Sequence, residues 1–185
     1  RPWEAPFAIY GQVVGEDEDK FLPNCLMFQY GIESWHNLSN GTARIFVEYA
    51  DLTSTWWTDD TRTHNISYGH HIYSDGYRYL GRPVGHWADT DSKIISLGGF
   101  LQLDSGIGWG SILRTGDLNE DGSGNNSVSN GVASNYFAIE VFNSRSYDNL
   151  NLDVQTSLGW EDIEVQSSSS SESGITFSAT VTKLF

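Results

Sequence analysis

No run of this sequence approaches the roughly 18 apolar residues that a membrane-crossing helix requires, and helix-spaced apolar periodicity is missing throughout. A helical membrane protein is therefore excluded. Basic residues are scarce: 10 Lys and Arg stand against 24 Asp and Glu, for a net charge of −14. Phosphate backbones bind basic surfaces, so nucleic acid is not an expected partner. An acidic, aromatic surface suits carbohydrates or cations better. Cysteine occurs once, so Cys25 has no internal disulfide partner and gives a zinc or catalytic-thiol reading nothing to build on. It is expected to be packed. Arg1-Pro2-Trp3 supplies neither the basic nor the apolar portion of a signal peptide.

What is plentiful is aromatic: 14% of the chain, with 7 Trp and 9 Tyr, beside many Ser, Gly and Asn. Hydrophobic residues reach 38% and mean hydropathy is −0.37. Apolar and polar residues alternate with period 2, the signature of strands with two unlike faces. Leu150, Leu152, Val154, Leu158 and Trp160 oppose Asn151, Asp153, Gln155, Ser157 and Glu161. Ile175, Phe177, Ala179, Val181 and Phe185 oppose Thr176, Ser178, Thr180 and Thr182. The pattern recurs in Leu26–Glu33, Ala43–Tyr49, Ile95–Asp104 and Phe137–Val141, and less cleanly in Phe7–Val14 and Ile107–Thr115. Eight antiparallel strands are expected.

A soluble β-sandwich also alternates. Three features favour a transmembrane β-barrel instead. Whole charged side chains sit on the polar faces, which a wet lumen accepts. Several strands could run about ten residues, near the length a bilayer needs. Phe185 ends the chain on the apolar face, like the C-terminal signal of outer-membrane barrel proteins. With Phe185 at the periplasmic end, Trp35–Gly41, Asp104–Gly108 and Ser146–Asn149 become short periplasmic turns. Glu16–Asn24, Trp56–Asp91, Asn119–Ser134 and Val165–Gly174 become longer extracellular loops, the usual asymmetry. The fold expected is all-β: an antiparallel transmembrane β-barrel of about eight strands, in all 185 residues the C-terminal portion of an outer-membrane barrel domain and an arc of a larger barrel. Export implies that the true N-terminus lay upstream.

Specific segments resemble the capsule-assembly family of outer-membrane proteins typified by Wzi. They are "RIFVEYADLTSTWW" (Arg44–Trp57), "YGHHIYSDGYRYLGRPVGHWADTDS" (Tyr68–Ser92) and "LRTGDLNEDG" (Leu113–Gly122), with "YGQVVGEDE" (Tyr10–Glu18) fitting the preceding strand and turn. Family members are considerably longer, with a larger barrel and a periplasmic helical portion before this region. The resemblance implies a lectin in the bacterial outer membrane that holds capsular polysaccharide at the cell surface, with lipid around it and no enzymatic activity.

Candidate ligand chemistry concentrates in the loop Trp56–Asp91. Trp56, Trp57, Tyr73 and Tyr77 offer flat faces to pyranose rings. His70, His71, His86, Asp89 and Asp91 offer hydrogen bonds to hydroxyls, and Arg78 and Arg82 can pair with uronate carboxylates. The plainer reading is that these residues, with His64, Tyr79 and Trp87, pack the loop into the barrel mouth. Gly76, Gly81 and Gly85 favour tight turns within it. A metal at His70, His71, His86 and Asp89 is not expected, because adjacent residues of an extended chain point oppositely. No cofactor is expected either. Glycoside hydrolysis needs two carboxylates flanking a bond; Asp89, Asp91 and the Asp59-Asp60 pair are available, but carboxylates are everywhere in this chain. Asp117, Asn119, Asp121 and Gly122 begin like a calcium loop, yet Val128 occupies the twelfth position where a bidentate Glu belongs. A solvated acidic turn is expected there, another at Glu16–Asp19, and a flexible tip at Ser167–Ser173. The rival to polysaccharide retention is a transport pore whose lumen charges, Arg44, Glu48, Arg114 and Glu140, select solutes.

Overall fold

The computed structural model describes residues 6–19, 21–56, 64–66, 68–69, 72, 76–123, 126–168 and 170–183. The eight alternating segments are eight long strands: β1 (Phe7–Asp19), β2 (Leu22–Leu38), β3 (Gly41–Trp56), β6 (Lys93–Leu103), β7 (Ile107–Leu118), β8 (Ser134–Tyr147), β9 (Leu152–Val165) and β10 (Ser171–Lys183). Two short strands, β4 (Arg78–Tyr79) and β5 (Arg82–Pro83), pair inside the connection after β3. The long strands form one antiparallel sheet in chain order, with β1 and β10 at its edges. The shortest, β6, has 11 residues, enough for a tilted bilayer crossing. At one end the connections are tight. Gly106 (φ +79°) and Asn151 (φ +49°) supply the left-handed backbone that two of these turns need.

Register turns the alternation into a continuous surface. Ile9, Ile32, Val47, Leu97, Leu113, Ile139, Trp160 and Ile175 stand directly opposite one another, strand after strand, across all eight strands. The row one step towards the tight turns contains Phe7, Ile45, Val141, Leu158 and Phe177. In the opposite direction lies a row with Tyr30, Tyr49, Ile95 and Phe137. One step further the same face turns polar, with Asp51, Lys93, Asp117, Asn135 and Glu164 in register. From the Tyr30 row to the Leu38 row is about 26 Å along the strand, at roughly 3.3 Å per residue. That matches the apolar band of an outer-membrane barrel, about 25 Å tall. Ile9, Ile45, Val47, Ile95, Leu97, Leu158 and Phe177 are exposed in the isolated chain, which a lipid-facing surface requires.

The other face carries the charges and the core. Glu33, Arg44, Glu48, Arg114, Glu140 and Glu161 all point to it; Arg44 bonds Glu33 through Nε at 2.7 Å, and Arg114 lies 3.8 Å from Glu140. Towards the tight turns, Phe46 stacks on Phe100 and Phe100 meets Phe142, with the Arg44 guanidinium over the first two rings. Glycine makes room for this row. A Cβ at Gly98 would lie 2.0 Å from the Phe46 ring, and one at Gly110 2.1 Å from that of Phe142. At the opposite end Met27, Leu52, Ile94, Leu118, Tyr136 and Ala138 are buried beneath Tyr68 and Ala88 of the long connection.

Two connections depart from the sequence reading. Glu16–Asn24 is not a loop: β1 and β2 remain paired from Gly15↔Leu26 to Asp19↔Leu22, so the acidic residues continue a protruding hairpin. The Ser167–Ser173 tract is not wholly a loop tip, because β10 starts at Ser171 in register with Glu164. Continued backbone pairing outweighs a weak local strand propensity here. The two long connections, 57–92 and 119–133, lie at this same end of the sheet.

Candidate functional site

The long connection after β3 is held down by buried polar ties. Asp89 and Asp91 are each 0% exposed. Both adopt left-handed backbone (φ +62° and +54°), which Asp tolerates better than most residues. Asp89 accepts hydrogen bonds from Arg78 Nη2 (2.7 Å), the Thr90 amide (2.7 Å) and the amide and hydroxyl of Ser127 (2.9 and 2.8 Å). Arg78 also donates to the Tyr68 carbonyl and lies over the Tyr68 ring. Asp91 accepts from His64 Nδ1 (2.7 Å) and the Asp121 amide (2.8 Å). Burial pushes its carboxyl up, against the pull of those hydrogen bonds. Asn126 completes the fastening. Its Nδ2 donates to the carbonyls of Ala88 and Thr90, both at 2.8 Å, and its Oδ1 accepts from the amides of Val128 and Ser129, both at 3.0 Å.

These contacts sort the residues nominated from the sequence. Asp89, Asp91 and Arg78 are internal fasteners: two carboxylates without solvent access, and a guanidinium paired with one of them. Tyr77 is exposed, as are Tyr79 and Arg82 on the small β4–β5 hairpin. His86 is half-buried. Trp57, His70, His71 and Tyr73, and the side chain of Trp56, lie outside the described residues, as do Asp59 and Asp60. Among the described residues, the possible metal-ligating side chains that converge are His64, Asp91 and Asp121, with ligand-type atoms within 4.8 Å of one another. Asp91 and Asp121 are engaged in hydrogen bonds that join the two long connections, and His64 bonds Asp91 within the first of them. Asp117 accepts from Gln166, while Asp121 turns to Asn65 and Ser123.

Beneath the fastened loop, between it and β1–β3, opens a cleft of about 560 Å³, inside the 300–1,000 Å³ range of small-molecule sites. Tyr68, Tyr77, Gly85, His86 and Trp87 form the loop wall; Gln12 and Gln29 are among the residues of the sheet wall. Trp87 is braced by Tyr136, ring centroids 5.0 Å apart. Tyr68 and Tyr77 meet edge to face at 6.2 Å. The Tyr68 hydroxyl accepts the His86 amide at 3.1 Å, and His86 Nδ1 accepts the Ala88 amide at 3.2 Å. That leaves Nε2 as the protonated nitrogen of a neutral ring. Burial lowers the imidazole pKa, in keeping with that form. The glutamines were missed in the sequence. Their only signal was membership of the polar set of β1 and β2, which says nothing of the loop that folds over them.

The fold and the cleft can now be set beside known proteins. The family model described as capsule assembly protein Wzi matches residues 2–174. The chain belongs to the Wzi family. A solved structure of Wzi from Escherichia coli, described as an outer membrane protein involved in group 1 capsule assembly and a carbohydrate-binding β-barrel, superposes with a TM-score of 0.78 at 27% identity. The match covers 97% of this chain and 39% of that one. An uncharacterized 55.8 kDa protein in the cps region of Klebsiella pneumoniae is 44% identical over 46 residues, 25% of this chain and 9% of that protein. The chain thus spans well under half the length of the Wzi structure it matches. Its strands are those of an outer-membrane β-barrel.

Proposed function

We propose that this chain is the C-terminal arc of a larger outer-membrane barrel that binds and retains capsular polysaccharide at the bacterial surface without cleaving it. The two long connections face outward from the cell, and the short turns face the periplasm. One observation carries the reading. In a family with a solved member that is a carbohydrate-binding barrel, the longest connection is fastened over the sheet end by Asp89, Asp91 and Asn126, while Tyr77 at the cleft and Tyr79 and Arg82 on the β4–β5 hairpin stay exposed. A loop so fixed is a preorganised surface, and preorganisation lowers the ordering cost of binding. We assign Trp56, at the end of β3, and Trp57, His70, His71 and Tyr73, in the sequence that follows it, to the same polymer-binding set.

The rival pore reading has its own observation: Arg44, Glu48, Arg114 and Glu140 share one face of the sheet. Single-channel conductance of the full-length protein separates the two, since the loop packed across that face should keep conductance low. Retention itself is tested by replacing Trp57, Tyr77, Tyr79 and Arg82 together by Ala in the full-length protein. Repeating polymers bind multivalently, so the combined variant is decisive. At matched barrel abundance, cell-bound capsule should fall and shed capsule should rise. Capsule that stays bound contradicts the proposal.

A further inference from the structure

The cleft beneath the loop has a chemistry that its surroundings lack. The sheet face around it carries Glu48, Arg114, Glu140 and Glu161, yet among the described residues no Asp, Glu, Lys or Arg lines the cleft. What lines it instead is paired amide and ring. Gln12 and Gln29 are direct cross-strand partners on the packed face of β1 and β2, so their side chains stand side by side. Among the described residues neither side chain hydrogen-bonds to the protein, and together they offer four N–H donors and two carbonyl acceptors. Opposite them stand Trp87, propped by Tyr136, and Tyr77, propped by Tyr68. His86, neutral and with Nδ1 occupied by the Ala88 amide, has Nε2–H to donate.

We propose that this cleft is a subsite for an uncharged pyranose unit. It rests on the reading that the protein binds carbohydrate, and sharpens it by assigning the neutral sugars of a polymer to the cleft and not the uronates. A pyranose presents an apolar C–H face and a rim of hydroxyls that both donate and accept. Trp87 and Tyr77 meet the first, and two amides with an imidazole N–H meet the second. A carboxylate on the ring finds no cation among the described residues of the lining and is stripped of water without compensation.

The test uses the full-length protein in detergent micelles, capsular polysaccharide from the encapsulated strain that carries it, and methyl glucoside, methyl galactoside and glucuronate as competitors. Polymer binding by the wild type is measured first. The neutral glycosides should displace polymer at concentrations at least tenfold below glucuronate. Gln12→Leu/Gln29→Leu should weaken that competition at least tenfold at unchanged heat-modifiability, since neither amide bonds to the protein. Trp87→Phe, which keeps a ring against Tyr136, should retain part of it. If polymer binds but glucuronate competes as well as the glycosides, or the double variant competes like the wild type, the cleft assignment is overturned while the carbohydrate reading stands. If the wild type binds no polymer, both fall.

Discussion

Leu158 and Ser157 are adjacent in β9, a strand paired on both sides, and they point to opposite faces. Leu158 sits between Val141 and Phe177 in an apolar row and is 56% exposed in the isolated chain. Ser157 bonds Ser178 on the neighbouring strand at 2.8 Å and borders a concavity shared with Glu140 and Glu161. Leu158→Arg places a guanidinium in lipid, costing about 2–4 kcal/mol near the midplane. Ser157→Arg loses one hydroxyl–hydroxyl bond, worth about 1 kcal/mol, and sets the new cation in a polar concavity lined by Glu140, Glu161 and Arg114. The difference is about 2 kcal/mol, or roughly 30-fold in the folding equilibrium at 1.4 kcal/mol per tenfold. The assay is urea titration of the full-length protein in lipid vesicles, read by the mobility of unheated against heated samples. Equal losses, or a worse loss at Ser157, would refute the assignment of faces.

Asp89→Ala removes the partner of a largely buried guanidinium and should cost about 3–5 kcal/mol, the range for breaking a buried pair. Because the ties are confined to the two long connections, limited proteolysis should find new cleavage within 78–92 while the barrel stays heat-modifiable. His86 gives a pH dependence. Its folded pKa is lowered from 6.5 by burial, so its contribution to loop docking is complete above about pH 6.5 and is lost as pH falls towards the folded value. Protease susceptibility of the loop should therefore rise with acidification, and His86→Gln should flatten that component. For topology, Arg82→Cys should react with an impermeant maleimide on intact cells and Asp148→Cys only after permeabilisation; equal labelling would overturn the orientation.

The sheet was legible in the sequence because period-2 alternation has one consequence: a strand's apolar set must share a face. Leu26 to Ile32, Ala43 to Tyr49 and Phe137 to Val141 each land on the apolar face as their spacing requires. Cross-strand register was not legible, since it depends on which turn closes each hairpin, and the Ile9–Ile175 row emerges only from pairing. For the same reason Glu16–Asn24, charged and apparently loop-like, continues a hairpin. The site was half legible. Aromatic and histidine content pointed to the connection after β3, but composition does not distinguish an Asp free to meet a ligand from one that meets Arg78 or His64. Asn126 carried no signal at all, because its five contacts are made with residues distant in sequence or with local backbone amides.

Retention without cleavage has a direct measurement. The full-length protein, reconstituted in lipid vesicles, is incubated with purified capsular polysaccharide, sedimented and washed, and bound polymer is eluted and sized. The account predicts that polymer sediments with protein-bearing vesicles alone and elutes with its chain length unchanged. It also predicts that the Trp57, Tyr77, Tyr79 and Arg82 combined variant leaves most of the polymer in the supernatant. Polymer that fails to sediment with the wild type, or that returns shortened, contradicts it.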